Sequence, residues 1–182
     1  MSMFRFAQPA YPEEDVKPMR DELEAVGAKS LRTGADVEAA LKGQKGTALL
    51  VVNSVCGCAA GGARPGVSAA LQNNVIPDQI YTVFAGVDRE ATARARDFIV
   101  NYPPSSPSVA LFKDGKVVYM MERHMVEGRT PDDIANELAT QFDKHCAAKG
   151  PSIAPEKFES LQFVQVCGSK LAAKAKALAA KG

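Results

Sequence analysis

Apolar residues recur three or four apart between residues 12 and 26, where Val16, Met19, Leu23 and Val26 fall on one helical face. Glu13, Glu14 and Asp15 favour the start of that helix, where unpaired N–H groups and the macrodipole attract negative charge. Pro18 lacks the N–H that an interior position needs, so the regular helix is expected to begin near it. Gly27 is its expected stop. A second, short helix is expected over residues 36–41, with Thr33 as its cap and Gly43 as its end. The pattern then changes. Residues 47–53 (TALLVVN) form a continuous apolar run, as a central strand covered on both faces would. Residues 67–71 read as helix, 80–85 (IYTVFA) as a second buried strand, and 91–100 as a helix with Phe98 and Ile99 inward. Residues 108–112 predict a third strand, and the Asp114-Gly115 turn returns the chain into a fourth over 117–121. Thr130-Pro131-Asp132-Asp133 combines a capping hydroxyl, a first-position proline and first-turn acids. The helix it opens runs to about His145, with Ile134, Leu138 and Phe142 on one stripe.

The first two of these strands are joined through a helix and should be parallel, whereas the last two form a hairpin. A central mixed sheet flanked by helices follows, in the α/β class. After Cys146 the composition shifts. Residues 147–155 are rich in Ala, Gly, Pro and Ser, as in a linker. Residues 158–166 contain an alternating stretch, and 170–181 are almost entirely Ala, Lys and Leu, a good helix former. The expected division is a domain over 1–146 and a C-terminal extension over 147–182.

The chain has 182 residues, a formal net charge of +1 and 24% charged residues. The length supports a real core without disulfide staples. The near-neutral balance argues against an electrostatic nucleic-acid binder. No apolar run approaches the ~18 residues of a membrane span, and the start lacks a secretory pattern. A soluble cytoplasmic protein that uses neither nucleic acid nor membrane is the expectation, as a monomer or weak dimer.

Four cysteines stand at 56, 58, 146 and 167. In a reducing compartment cysteines are seldom structural staples, so the Cys56-Gly57-Cys58 pair raises the question of chemistry. It lies where the buried strand of residues 47–53 hands over to a helix. A thiolate there is favoured by the helix N-terminus, and Gly57 lets the short connection bend. A disulfide across one residue closes a small ring, suited to transient exchange rather than stapling. The bland alternative is a pair of inert small hydrophobes. Pro107, after Ser105-Ser106 and before a buried strand, resembles the cis-proline that precedes a strand beside the active-site thiols of thioredoxin-fold proteins. A cis bond there would present backbone to an extended substrate.

Taken together, residues 51–61 (VVNSVCGCAAG) with Ala63-Arg64-Pro65, residues 82–86 (TVFAG), the 103–107 segment, Arg123-His124, Glu127-Gly128 and His145-Cys146 closely resemble the bacilliredoxin signature. The resemblance covers about residues 12–146. It implies a thioredoxin-like fold with a CGC active site and the removal of bacillithiol, or a similar low-molecular-weight thiol, from S-thiolated cytoplasmic proteins. Weak disulfide isomerase activity is also implied. No bound cofactor is expected, the small thiol being a co-substrate. Cys56 is assigned as nucleophile and Cys58 as resolving thiol, with Gly57, Ser106, Pro107 and Arg64 at the substrate. Arg64 could meet a thiolate or a substrate carboxylate, or be structural. His124, Tyr102 and Ser105 are weaker candidates. Cys146 reads as a packed thiol, and Cys167 as a partner for Cys146 or an extra resolving thiol. The competing class is a metal or iron–sulfur site built from the four cysteines. A third is a redox-insensitive adaptor that would survive loss of Cys56.

Overall fold

The computed structural model describes residues 8–55 and 57–164. Cys56, Cys167 and the lysine-rich stretch over 170–181 lie outside the described residues. The elements follow in the order α1 (Glu13–Glu24), β1 (Lys29–Ser30), α2 (Gly34–Leu41), β2 (Thr47–Asn53), α3 (Gly57–Ala70), β3 (Val75–Ile76), β4 (Gln79–Phe84) and α4 (Arg89–Phe98). Then come β5 (Ser108–Lys113), β6 (Lys116–Met121), α5 (Arg123–Val126), α6 (Pro131–His145), β7 (Ala148–Lys149) and α7 (Pro155–Glu159).

Five strands form the central sheet in the order β1-β4-β2-β5-β6. The β1–β4 and β4–β2 pairs are parallel, while β2–β5 and β5–β6 are antiparallel. The sheet is therefore mixed, as the alternation of the sequence predicted. Every residue of β2 is buried, because the strand is central and covered on both faces. Its side chains divide by the period of two. Leu49 and Val51 join α3, α6 and the end of α1 on one face, with Val109, Leu111 and Met121. Ala48, Leu50 and Val52 join α2 and α4 on the other, with Ala110, Phe112 and Met120. Helix α6 carries its predicted cap: Thr130 accepts from the Asp133 N–H and Asp133 accepts from Thr130. The Thr33 cap of α2 is likewise present.

Three expectations are corrected. Helix α1 does not wait for Pro18 but starts at Glu13 and runs through it. Burial of Val16, Met19 and Leu23 on one face outweighs the single missing backbone bond. Helix α3 does not start at Val67. It begins at Gly57 and continues through Gly61, Gly62 and Pro65. The small residues are what allow this, since they bring α3 close to its neighbours: a Cβ on Gly66 would lie 2.7 Å from Ile134 Cγ2. Finally, residues 147–155 are not an open linker. Strand β7 pairs antiparallel with β3, Gly150 N–H donates to Asn74 O at 2.9 Å, and Ser152 N–H donates to Leu71 O at 2.9 Å. Gly150 is required there, because a Cβ would lie 2.0 Å from Asn73 O. Ile153, Phe158 and Leu161 then pack on the α3–α6 side of the core.

Candidate active site

The site is built at the C-terminal end of β2. Its last residue, Asn53, is buried and spends its side chain locally. The amide donates to Met19 O at 3.1 Å, and Oδ1 accepts from the Ser54 N–H at 2.9 Å. The chain leaves the strand through Ser54 and Val55 and enters α3 at Gly57. Cys56 thus immediately precedes the helix in the chain, while Cys58, in its first turn, is an exposed free thiol. The first-turn N–H groups and the helix dipole bear on this stretch and favour negative charge.

Opposite lies the start of β5. Ser108 pairs with Val52 across the sheet, so residues 105–107 stand beside the end of β2. The Ser106–Pro107 peptide is cis, as expected from the sequence. Pro107 is buried, and Ser106 and Gly57 are half-buried. The loop is held from two sides. Ser108 Oγ donates to Ser105 O at 2.9 Å, and the Arg123 N–H at the start of α5 donates to Ser105 Oγ at 2.8 Å. Arg123 Nη1 also donates to Ser106 O at 3.4 Å.

Arg64 takes a different place from the one expected of it. It is buried beneath the β2–α3 connection rather than open to a ligand. Its Nε donates to Glu22 Oε2 at 2.6 Å, in a pair whose side chains are each 3% exposed. Its Nη1 donates to Ser54 O at 3.1 Å and Asn53 Oδ1 at 3.4 Å. Its Nη2 donates to Val164 O at 3.0 Å, and the Val164 N–H donates to Glu22 Oε1. One guanidinium therefore ties α1, the residues before Cys56 and residue 164 together. Burial pushes the Glu22 carboxyl above its usual range, with Arg64 opposing that rise.

The remaining candidates are scattered. His124 is exposed on α5, and Tyr102 is on the loop before Pro107. Cys146 caps the C-terminus of α6 beside Thr47, at the start of β2. Strand β2 is seven residues long, so Cys146 and the CGC motif lie at opposite ends of a strand that spans about 20 Å. A tetrahedral metal site that joins Cys146 to Cys58 is excluded by that separation. The sequence reading gave no role to Glu22, Asn53, Arg123 or Val164. Each contributes through a contact distant in the chain, which local periodicity does not carry.

The family model described as disulphide isomerase matches residues 11–146. A bacilliredoxin of Staphylococcus aureus (strain NCTC 8325 / PS 47) is 52% identical over 131 residues, covering 72% of this chain and 90% of the relative. A bacilliredoxin of Cytophaga hutchinsonii is 51% identical over 134 residues, covering 74% of this chain and 98% of the relative. The chain belongs to the bacilliredoxin family. Membership supports a thiol–disulfide redox role. The match to the family model ends at Cys146, so the β7–α7 segment and the contacts of Val164 lie beyond it. Among the described residues, no helix is long and apolar enough to cross a membrane.

Proposed function

We propose that this bacilliredoxin is a thiol–disulfide oxidoreductase of thioredoxin-like fold that removes bacillithiol, or a similar small thiol, from S-thiolated cytoplasmic proteins. The observation that carries the reading is the position of the CGC motif. Cys56 and the exposed Cys58 bracket the start of a fourteen-residue helix at the end of a fully buried strand. A thiolate there is stabilised by N–H groups and the helix dipole, and it is the thiolate that attacks. The sheet order β1-β4-β2-β5-β6 and the buried Pro107 beside the end of β2 support the fold assignment.

In the first step the Cys56 thiolate attacks the small-thiol sulfur of the mixed disulfide. The S–S bond of the mixed disulfide breaks, and the repaired protein leaves as thiolate. Cys56 now carries the small thiol. In the second step either Cys58 or a second small thiol attacks the Cys56 sulfur. Cys58 releases the small thiol and leaves a Cys56–Cys58 disulfide that an external reductant must open. A second thiol instead frees Cys56 and leaves as a small-molecule disulfide. Gly57 gives the connection its freedom, and Ser106 and Pro107 offer backbone to the substrate chain. Arg64 acts as a positioning residue through its bonds to Ser54 and Asn53. The active unit is a monomer or weak dimer and needs no bound cofactor.

The test is the intact mass of the Cys58→Ala protein after incubation with a bacillithiol-modified protein. The expected result is one bacillithiol gained on Cys56, with an equal loss from the substrate, and no transfer in Cys56→Ala. Transfer of glutathione or coenzyme A in place of bacillithiol would change the named thiol. No adduct with any small thiol would overturn the reading.

A further inference from the structure

Most arginines among the described residues are paired, Arg89 and Arg96 being the two whose Nε is buried without a hydrogen-bond partner. Arg20 binds Asp88 and Glu13, Arg32 binds Glu13, Arg64 binds Glu22, and Arg94, Arg123 and Arg129 each hold a carboxylate. Arg96 differs. It projects from α4 with its Nε buried, and among the described residues that atom has no hydrogen-bond partner and the guanidinium no ion pair. Burial alone lowers its affinity for a proton, with no neighbouring anion offsetting the effect. Arg96 is half-buried, and a partly desolvated guanidinium with no carboxylate of the chain on it is open to an anion from outside the chain.

The surroundings say where that anion sits. Arg96 lines a cavity of about 60 Å³, floored by Val52, Ile99 and Met120 and walled by residues 102–105 and Ser108. None of these other lining residues carries a charge. The cavity abuts the loop that leads into Pro107, and Val52 and Ser108 are the paired residues at the end of β2. Cys56 follows Val52 by four residues, within about 14 Å of it along even a fully extended chain. Ser105 Oγ already accepts from the Arg123 N–H, which leaves its own proton to donate into the cavity. The space fits a carboxylate, not a whole sugar or dipeptide.

We propose that Arg96, with Ser105, is the anion subsite of the exchange site and takes a carboxylate of the small thiol carried on the mixed disulfide. The inference rests on the exchange reading above. It assigns to Arg96 the carboxylate contact that Arg64, spent on Glu22, does not offer. The subsite selects thiols that bear carboxylates, as bacillithiol and glutathione do, over neutral ones. A carboxylate on the repaired protein is the other source of the same chemistry, and the test separates the two.

One carrier protein is modified with bacillithiol in one arm and with 2-mercaptoethanol in the other. Removal of each is measured for the wild type, Arg96→Gln and Arg96→Lys. The expected result is a loss of kcat/KM of about ten- to a hundredfold for Arg96→Gln with bacillithiol, carried mostly by KM. Arg96→Lys recovers part of it, and the 2-mercaptoethanol reaction is unchanged. The melting temperature of Arg96→Gln holds or rises, because the guanidinium has no partner to lose. An equal loss in both arms would assign Arg96 to the carrier protein or to the fold and overturn the proposal. No loss in either arm would also overturn it. If the wild type removes neither adduct, it is the exchange reading that fails.

Discussion

Arg64→Met cuts the bond network under the CGC connection at its centre, and the cost follows from what remains. Among the described residues Glu22 keeps the Val164 N–H, while Ser54 O and Val164 O lose a donor. Removing one partner of a buried ion pair costs about 3–5 kcal/mol, because the other charge stays buried without compensation. In a domain of this size that is a fall of about 6–20 °C in melting temperature. The loss has a definite pH dependence. A carboxyl whose pKa is raised on folding contributes its full stability below its unfolded value and loses it as pH rises through the folded value. Burial already raises Glu22, and Arg64 is the charge that restrains the rise. Without Arg64 the folded value moves further up. The variant therefore loses less stability at pH 5 than at pH 8, because a proton on the uncompensated Glu22 costs less at the lower pH. Urea unfolding of the reduced protein at both pH values measures this. The double variant Glu22→Leu/Arg64→Met removes both charges and recovers much of the loss. A single-variant loss below about 1 kcal/mol, or one that is equal at pH 5 and pH 8, would refute the reasoning.

Two further outcomes follow from packing and burial. Gly66→Ala gains about 1 kcal/mol of helix propensity but sets its Cβ 2.7 Å from Ile134 Cγ2, 2.8 Å from Ile134 Cβ and 3.1 Å from Pro131 O. Overpacking of that kind costs about 1–3 kcal/mol, so thermal melting is expected to show a net loss, with the α3–α6 contact as its origin. Burial pushes the Cys146 thiol above its usual range, whereas Cys58 is exposed. In a Cys56→Ser/Cys167→Ser background, iodoacetamide at pH 7.5 should modify Cys58 at least about tenfold faster than Cys146, with the gap narrowing as pH rises, read by peptide mass.

Much of the scaffold was legible because its determinants are local. The apolar run of β2, the Asp-Gly hairpin and the Thr130-Pro131 helix start each rest on neighbours in sequence, and each stands where the pattern put it. The CGC motif could be placed for the same reason, at a strand-to-helix junction. Helix α3 was the informative failure. Glycines and Pro65 argue against a helix when only local propensity is weighed. They are tolerated because the helix must lie close against α6, and only small residues allow that approach. The β3–β7 pair and the Glu22–Arg64 pair were illegible for the opposite reason. Their partners lie far apart in the chain, and two-residue strands leave no period to detect.

The same nonlocality explains why Arg64 cannot be read from its motif alone. Beside a CGC motif, an arginine suggests a ligand contact. In the fold its planar fork is divided among four acceptors, with Nε on Glu22, Nη1 on Ser54 O and Asn53 Oδ1, and Nη2 on Val164 O. A lysine has no fixed fork and could not hold these directions at once. The segment beyond the family match thereby reaches the residues that lead into Cys56 through a single side chain. Residue 164 satisfies Glu22 with its N–H and Arg64 with its carbonyl, so it closes the edge at which water would otherwise meet the pair. Exchanging those two contacts for water changes stability by only about 1 kcal/mol each. The larger consequence is electrostatic. By sealing the pair, residue 164 keeps the Glu22 and Arg64 charges in a low-dielectric setting, where each holds the other firmly and Arg64 holds Ser54, two residues before Cys56, in place.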